Sequence, residues 1–82
     1  MVSLKEFIEI APDVIVPDIC SVMVEHQDEY FGTRMEVELR HFSSVSQLEK
    51  YYNYEIFGFD QKVVYGEVDE QYISLRTNKI TV

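Results

Sequence analysis

From Met35 to Arg40 apolar and charged residues alternate without a break: Met35, Glu36, Val37, Glu38, Leu39, Arg40. Successive side chains of a strand point to opposite faces. A strand over Arg34 to Phe42 therefore predicts Met35, Val37 and Leu39 in a core, with Glu36, Glu38 and Arg40 in water. Upstream, Ile19 to Glu25 is apolar and β-branched enough for a second strand, and Gln27 to Thr33 holds the polar residues and glycine of a hairpin loop. Placing Val24 opposite Val37 sets Val22 against Leu39 and Cys20 against His41, which gathers the apolar side chains on one face. The same register puts Glu25 beside Glu36 on the water face.

The remaining elements follow from caps and periodicity. Ser3 and Glu6 have the spacing of a capping box, and Leu4, Phe7, Ile8 and Ala11 recur at helical intervals, predicting a helix over Leu4 to Ile10. Pro12 ends it, and Pro12 to Pro17 reads as an extended link. Ser44 with Gln47, and Ser46 with Glu49, again have capping-box spacing, so a second helix is expected to run to about Asn53 with Val45, Leu48, Tyr52 and one of its tyrosine neighbours inward. Tyr54 to Asp60 reads as an edge strand or as an aromatic turn around Gly58. Val63 to Val68 and Tyr72 to Leu75 read as strands with a turn at Asp69 and Glu70. A further turn at Thr77 to Lys79 would precede Ile80 and Val82. The order α-β-β-α-β-β(-β) predicts a single α+β domain over residues 1–82, with an antiparallel or mixed sheet and helices packed on one face.

Composition narrows the functional classes. The chain has 82 residues, of which 46% are hydrophobic and 13% aromatic, enough for an ordered core. Fifteen Asp plus Glu against seven Lys plus Arg leave a net charge of −8. Direct binding to nucleic acid or to an anionic membrane is disfavoured, because both demand a basic footprint. The first residues lack the long apolar run of a signal peptide, and no run of apolar residues is long enough to span a membrane. Cys20 is the single cysteine, which excludes an internal disulfide and a four-cysteine zinc site and fits a reducing cytoplasm.

No catalytic site, metal site or cofactor is expected. Cys20 with His41 is the one thiol and base pair that the hairpin register unites, but such chemistry also requires an oxyanion hole and an orienting group. His26, His41, Cys20 and Glu25 do not have zinc spacing, and His26 falls roughly 20 Å from Cys20 along a strand. Ser43, Ser44 and Ser46 are explained as helix caps.

The acidic residues and tyrosines carry the functional expectation instead. Glu36 and Glu38 would stand about 7 Å apart on one strand face. Glu25 would adjoin them and Asp28 and Glu29 would continue the row into the loop; Glu67, Asp69 and Glu70 form a second acidic group. A rigid row of carboxylates can imitate nucleic-acid phosphates, and Tyr51 and Tyr54 are the residue type enriched at interface centres. The expected function is a non-enzymatic inhibitor that docks these ten residues on a basic surface of a nucleic-acid-processing partner. Small inhibitors such as anti-CRISPR proteins and uracil-DNA glycosylase inhibitors share this size and charge. The alternatives are an immunity or antitoxin protein against a cationic nuclease, and a structural subunit or homodimer joined through its tyrosines.

Overall fold

The structure, a computed structural model, describes residues 2–30 and 32–79. It is an α+β domain built mostly of sheet, with two short helices and a four-stranded mixed sheet. The elements are α1 (Leu4–Ile10), β1 (Cys20–Asp28), β2 (Gly32–Leu39), a 3-10 helix (Val45–Tyr51), β3 (Tyr54–Val64) and β4 (Glu67–Lys79). Strand order is β2-β1-β4-β3; β1 and β4 run parallel, while the two hairpin pairs are antiparallel.

Helix α1 starts where its cap spacing predicts, with the Glu6 amide donating to Ser3 Oγ at 3.2 Å. The second helical segment is a 3-10 helix rather than an α-helix. At three residues per turn, Val45, Leu48 and Tyr51 line one side. Leu48 and Tyr51, the latter the expected tyrosine neighbour, are buried, and Val45 and Tyr52 pack half-buried against the same core. Gln47 secures the start by accepting from the Ser43 and Ser44 amides at 2.7 and 3.3 Å.

The centre of the core is set by the parallel pairing of β1 with β4. Cys20 faces Gln71, Val22 faces Ile73 and Val24 faces Leu75, and all six are at most 1% exposed. Leu4, Ile15, Phe42, Leu48 and Tyr51 complete one buried cluster with these apolar residues. Gln71 ties the Pro12–Pro17 link to this core. Its amide nitrogen donates to the Val14 carbonyl and its amide oxygen accepts from the Val16 amide, both at 2.8 Å. Ile15, between these two contacts, is thereby held in the core at 6% exposure.

The β1–β2 register differs from the expected one. Val22 does face Leu39, but a bulge leaves Glu38 without a partner, so Met23 faces Val37, Val24 faces Glu36 and Glu25 faces Met35. One inserted residue inverts every side chain beyond it. Met35 and Val37 consequently lie on the face away from the core at 39% and 41% exposure, and Glu36 and Glu38 turn to the core side. Cys20 is not opposite His41: the Phe42 amide donates to the Cys20 carbonyl, and the His41 amide donates to Ser21 Oγ.

Two turns also move. Tyr54–Val64 is a continuous edge strand, and the following turn is at Tyr65 and Gly66 rather than Asp69 and Glu70. β4 runs on through Lys79 in place of a turn at Thr77 to Lys79, and Ile80 and Val82 lie outside the described residues.

Candidate functional site

The bulge at Glu38 divides the expected acidic row between the two faces. On the core side, Glu38 Oε1 lies 3.1 Å from His26 Nε2 and its Oε2 accepts from the Tyr51 hydroxyl at 2.9 Å. Glu36 lies 3.5 Å from His26 Nε2 and 3.1 Å from Arg34 Nε. Burial, and then the bond to Glu38, push the Tyr51 hydroxyl above the ordinary tyrosine range. These two carboxylates therefore engage the His26 ring, the Arg34 guanidinium and a buried hydroxyl of their own chain.

Glu25 sits on the opposite face with Glu55, at 3.6 and 3.4 Å from the Arg76 guanidinium. That guanidinium also lies 4.4 Å from the Phe57 ring centroid, a cation–π contact. Glu25 and Glu36 thus do not adjoin. Tyr51 is buried at 2% exposure, and Tyr54 meets it edge-on with ring centroids 5.5 Å apart. Both rings serve the core and its margin.

The two hairpin turns stand at opposite ends of the sheet, because β1 and β4 are parallel and β1 ends at one turn while β4 begins at the other. Asp28 pairs with Gly32 at the end of the first hairpin, next to exposed Glu29. Glu67, Asp69 and Glu70 belong to the second. The ten expected contact residues hence fall into separate groups and make no single row.

The second group has a distinct geometry. β4 meets β1 only from Gln71 to Arg76, and Gln61 is opposite Gln71, so residues 62–70 form a two-stranded ribbon that projects beyond the sheet by roughly 13 Å, at about 3.4 Å per residue. Residues 61–69 are all exposed. Val63, Val64 and Val68 are 57%, 39% and 38% exposed, and Tyr65 at the tip is fully exposed. Tyr65 and Gly66 have φ of 52° and 80°, the two positive values of the tight hairpin turn that matches strand twist. Asparagine and glycine suit such a turn; a tyrosine there is strained. Lower on the ribbon, the Tyr72 hydroxyl donates to Glu70 Oε2 and His41 Nε2 lies 3.6 Å from Glu70 Oε1. The Tyr72 bond holds the Glu70 carboxyl below the usual range, and the same bond raises the Tyr72 hydroxyl.

Sequence reasoning passed over Tyr65. The signal was the dipeptide Tyr65-Gly66 between two β-branched runs, which reads weakly because tyrosine is not a turn former.

Burial pushes the Cys20 thiol up to about 12, and Cys20 is fully buried among the core side chains. Among the described residues no group of three or more His, Cys, Asp and Glu is arranged to hold a metal ion. An open apolar groove of about 260 Å³ between Val2, Phe7 and Ile56 to Phe59 lies over β3. No helix among the described residues is long and apolar enough to cross a membrane. Comparison of the chain with models of protein families, with curated proteins and with solved structures finds no match in any of the three.

Proposed function

We propose that this protein is a non-enzymatic binding protein of the inhibitor type that inserts its acidic β3–β4 ribbon into a basic, nucleic-acid-binding surface of a partner protein. The observation that carries this reading is the ribbon itself: a projecting hairpin with Glu67, Asp69 and Glu70 beside exposed valines, and a fully exposed, strained Tyr65 at its tip. Backbone strain persists where something selects for it, and an amphipathic ring at a projecting tip is the kind of anchor that fills a pocket in a partner. The carboxylates supply charge complementarity, and the net charge of −8 extends it to long range. Glu36, Glu38 and Glu25 contribute to that long-range field, their local contacts being satisfied within the chain.

An immunity protein or antitoxin against a cationic nuclease would use the same surface, and the identity of the partner distinguishes it. The tyrosine-joined homodimer has less support, since Tyr51 is buried and Tyr54 packs on it.

The test is affinity capture from bacterial lysate at low salt on the wild-type chain and on two variants, Tyr65→Asn and Glu67→Gln/Asp69→Asn. The expected result is one nucleic-acid enzyme retained by the wild type, released by salt and by competing DNA or RNA, and depleted about ten-fold or more on each variant. Equal retention by both variants would remove the ribbon from the interface. Retention insensitive to salt and to nucleic acid would refute the charge mechanism.

A further inference from the structure

The two edges of the sheet are treated differently by the chain. β3 is covered at the start of its outer side: the Ile56 amide donates to the Val2 carbonyl at 3.0 Å, and Ser3 bridges to Glu55. β2, the other edge, is exposed at every residue from Gly32 to Glu38. It carries no proline or lysine, its edge being marked by Arg34, Glu36 and Glu38 and by the bulge at Glu38 near its end.

We infer that β2 pairs antiparallel with β2 of a second copy of this chain, about a two-fold axis at Met35, and so continues the sheet from four strands to eight. The charge pattern selects both occupant and register. With the axis at Met35, Arg34 of each copy lies opposite Glu36 of the other, Thr33 opposite Val37, and Met35 opposite Met35. Opposite charges then face one another twice on the core side, and the exposed Met35 and Val37 side chains gain apolar and β-branched neighbours on the other face. Moving the axis by one residue sets Glu36 against Glu36 or Arg34 against Arg34. Moving it to Val37 sets Glu36 against Glu38. Among registers that pair β2 residues with one another, the Met35 register alone opposes unlike charges without opposing like ones, since an axis at Thr33 opposes no charged pair at all. The β3–β4 ribbon, at the far edge of each copy, stays free in this dimer.

Sedimentation velocity in physiological salt, which screens the repulsion between two acidic chains, reads the association from about 5 µM to about 1 mM, the range suited to a small interface. The wild type is expected to shift from monomer to dimer across that range. Met35→Lys and Arg34→Glu are each expected to weaken dimerisation by about ten-fold or more, and the exchange Arg34→Glu/Glu36→Arg to restore it to within about three-fold, because it reverses the cross-strand pairs without removing them. Far-UV circular dichroism confirms that each variant is folded, since all three positions are exposed. A chain that stays monomeric to the highest concentration overturns the inference, as does a dimer unaffected by both single variants. β2 amides that gain hydrogen-exchange protection only when a captured partner is added would assign the edge to that partner's strand instead.

Discussion

Replacing Tyr65 by Asn is expected to stabilise the protein while weakening its binding to a partner. Tyr65 is fully exposed, so truncating its ring forfeits no buried area. Its backbone, at φ 52°, occupies the left-handed region, which costs an ordinary residue roughly 1–2 kcal/mol and which asparagine tolerates well. Recovering part of that cost gives an expected gain of about 0.5–1 kcal/mol. For a domain of this size, 1 kcal/mol moves Tm by about 4–8 °C, so the variant should melt roughly 2–8 °C higher. The control is Gly66→Ala, where φ is 80° and an added Cβ meets nothing within 4 Å. Its cost is purely conformational, about 1–2 kcal/mol of destabilisation. Differential scanning calorimetry on the two variants and the wild type reads both. If Tyr65→Asn melts at or below the wild-type temperature while Gly66→Ala melts lower, the Tyr65 ring makes contacts that stabilise the fold, and the strain argument for its role at the tip is refuted.

Two further outcomes follow from the core. Gln71→Ala removes both contacts that hold the Pro12–Pro17 link and leaves a buried gap; urea denaturation should show a loss of about 2–4 kcal/mol, and the Val16 amide should exchange faster than its neighbours, an unchanged Val16 rate counting against the clamp. Cys20 is protonated in the folded chain to about pH 12 and ionises near 9 when unfolded, so the folded state binds more protons between these values and stability falls as pH rises through this window. The Cys20 contribution to the slope should approach about 1.4 kcal/mol per pH unit and be absent from Cys20→Ala, where the raised Tyr51 and Tyr72 hydroxyls leave a slope of the same sign, and thiol labelling at pH 8 should proceed only through unfolding.

The division between local and tertiary information runs through particular residues. Helix α1 was legible because its cap is a contact between Ser3 and Glu6, three residues apart, and β1 because its β-branched run has one strand reading. The acidic charge came from composition. The alternation in β2 was equally legible, yet its meaning was inverted. Periodicity states that Met35 and Val37 share a face and that Glu36 and Glu38 share the other, but which face meets the core depends on how many residues of β2 lie opposite how many of β1. The bulge at Glu38 changes that count by one, and no local rule marks it. The same holds for the acidic contact surface. Glu25 and Glu36 are parted by that inversion, and the parallel pairing of β1 with β4, a contact between residues about fifty apart, sends the two hairpin turns to opposite ends. The sequence by itself determined helix α1, strand β1, the alternation of β2, the serine caps and the acidic charge, since these depend on neighbours along the chain. Only the tertiary structure decided which carboxylates are satisfied within the chain, that the ribbon from 62 to 70 projects, and that Tyr65 stands at its tip, because strand pairing across the sheet is settled by the packing of distant residues.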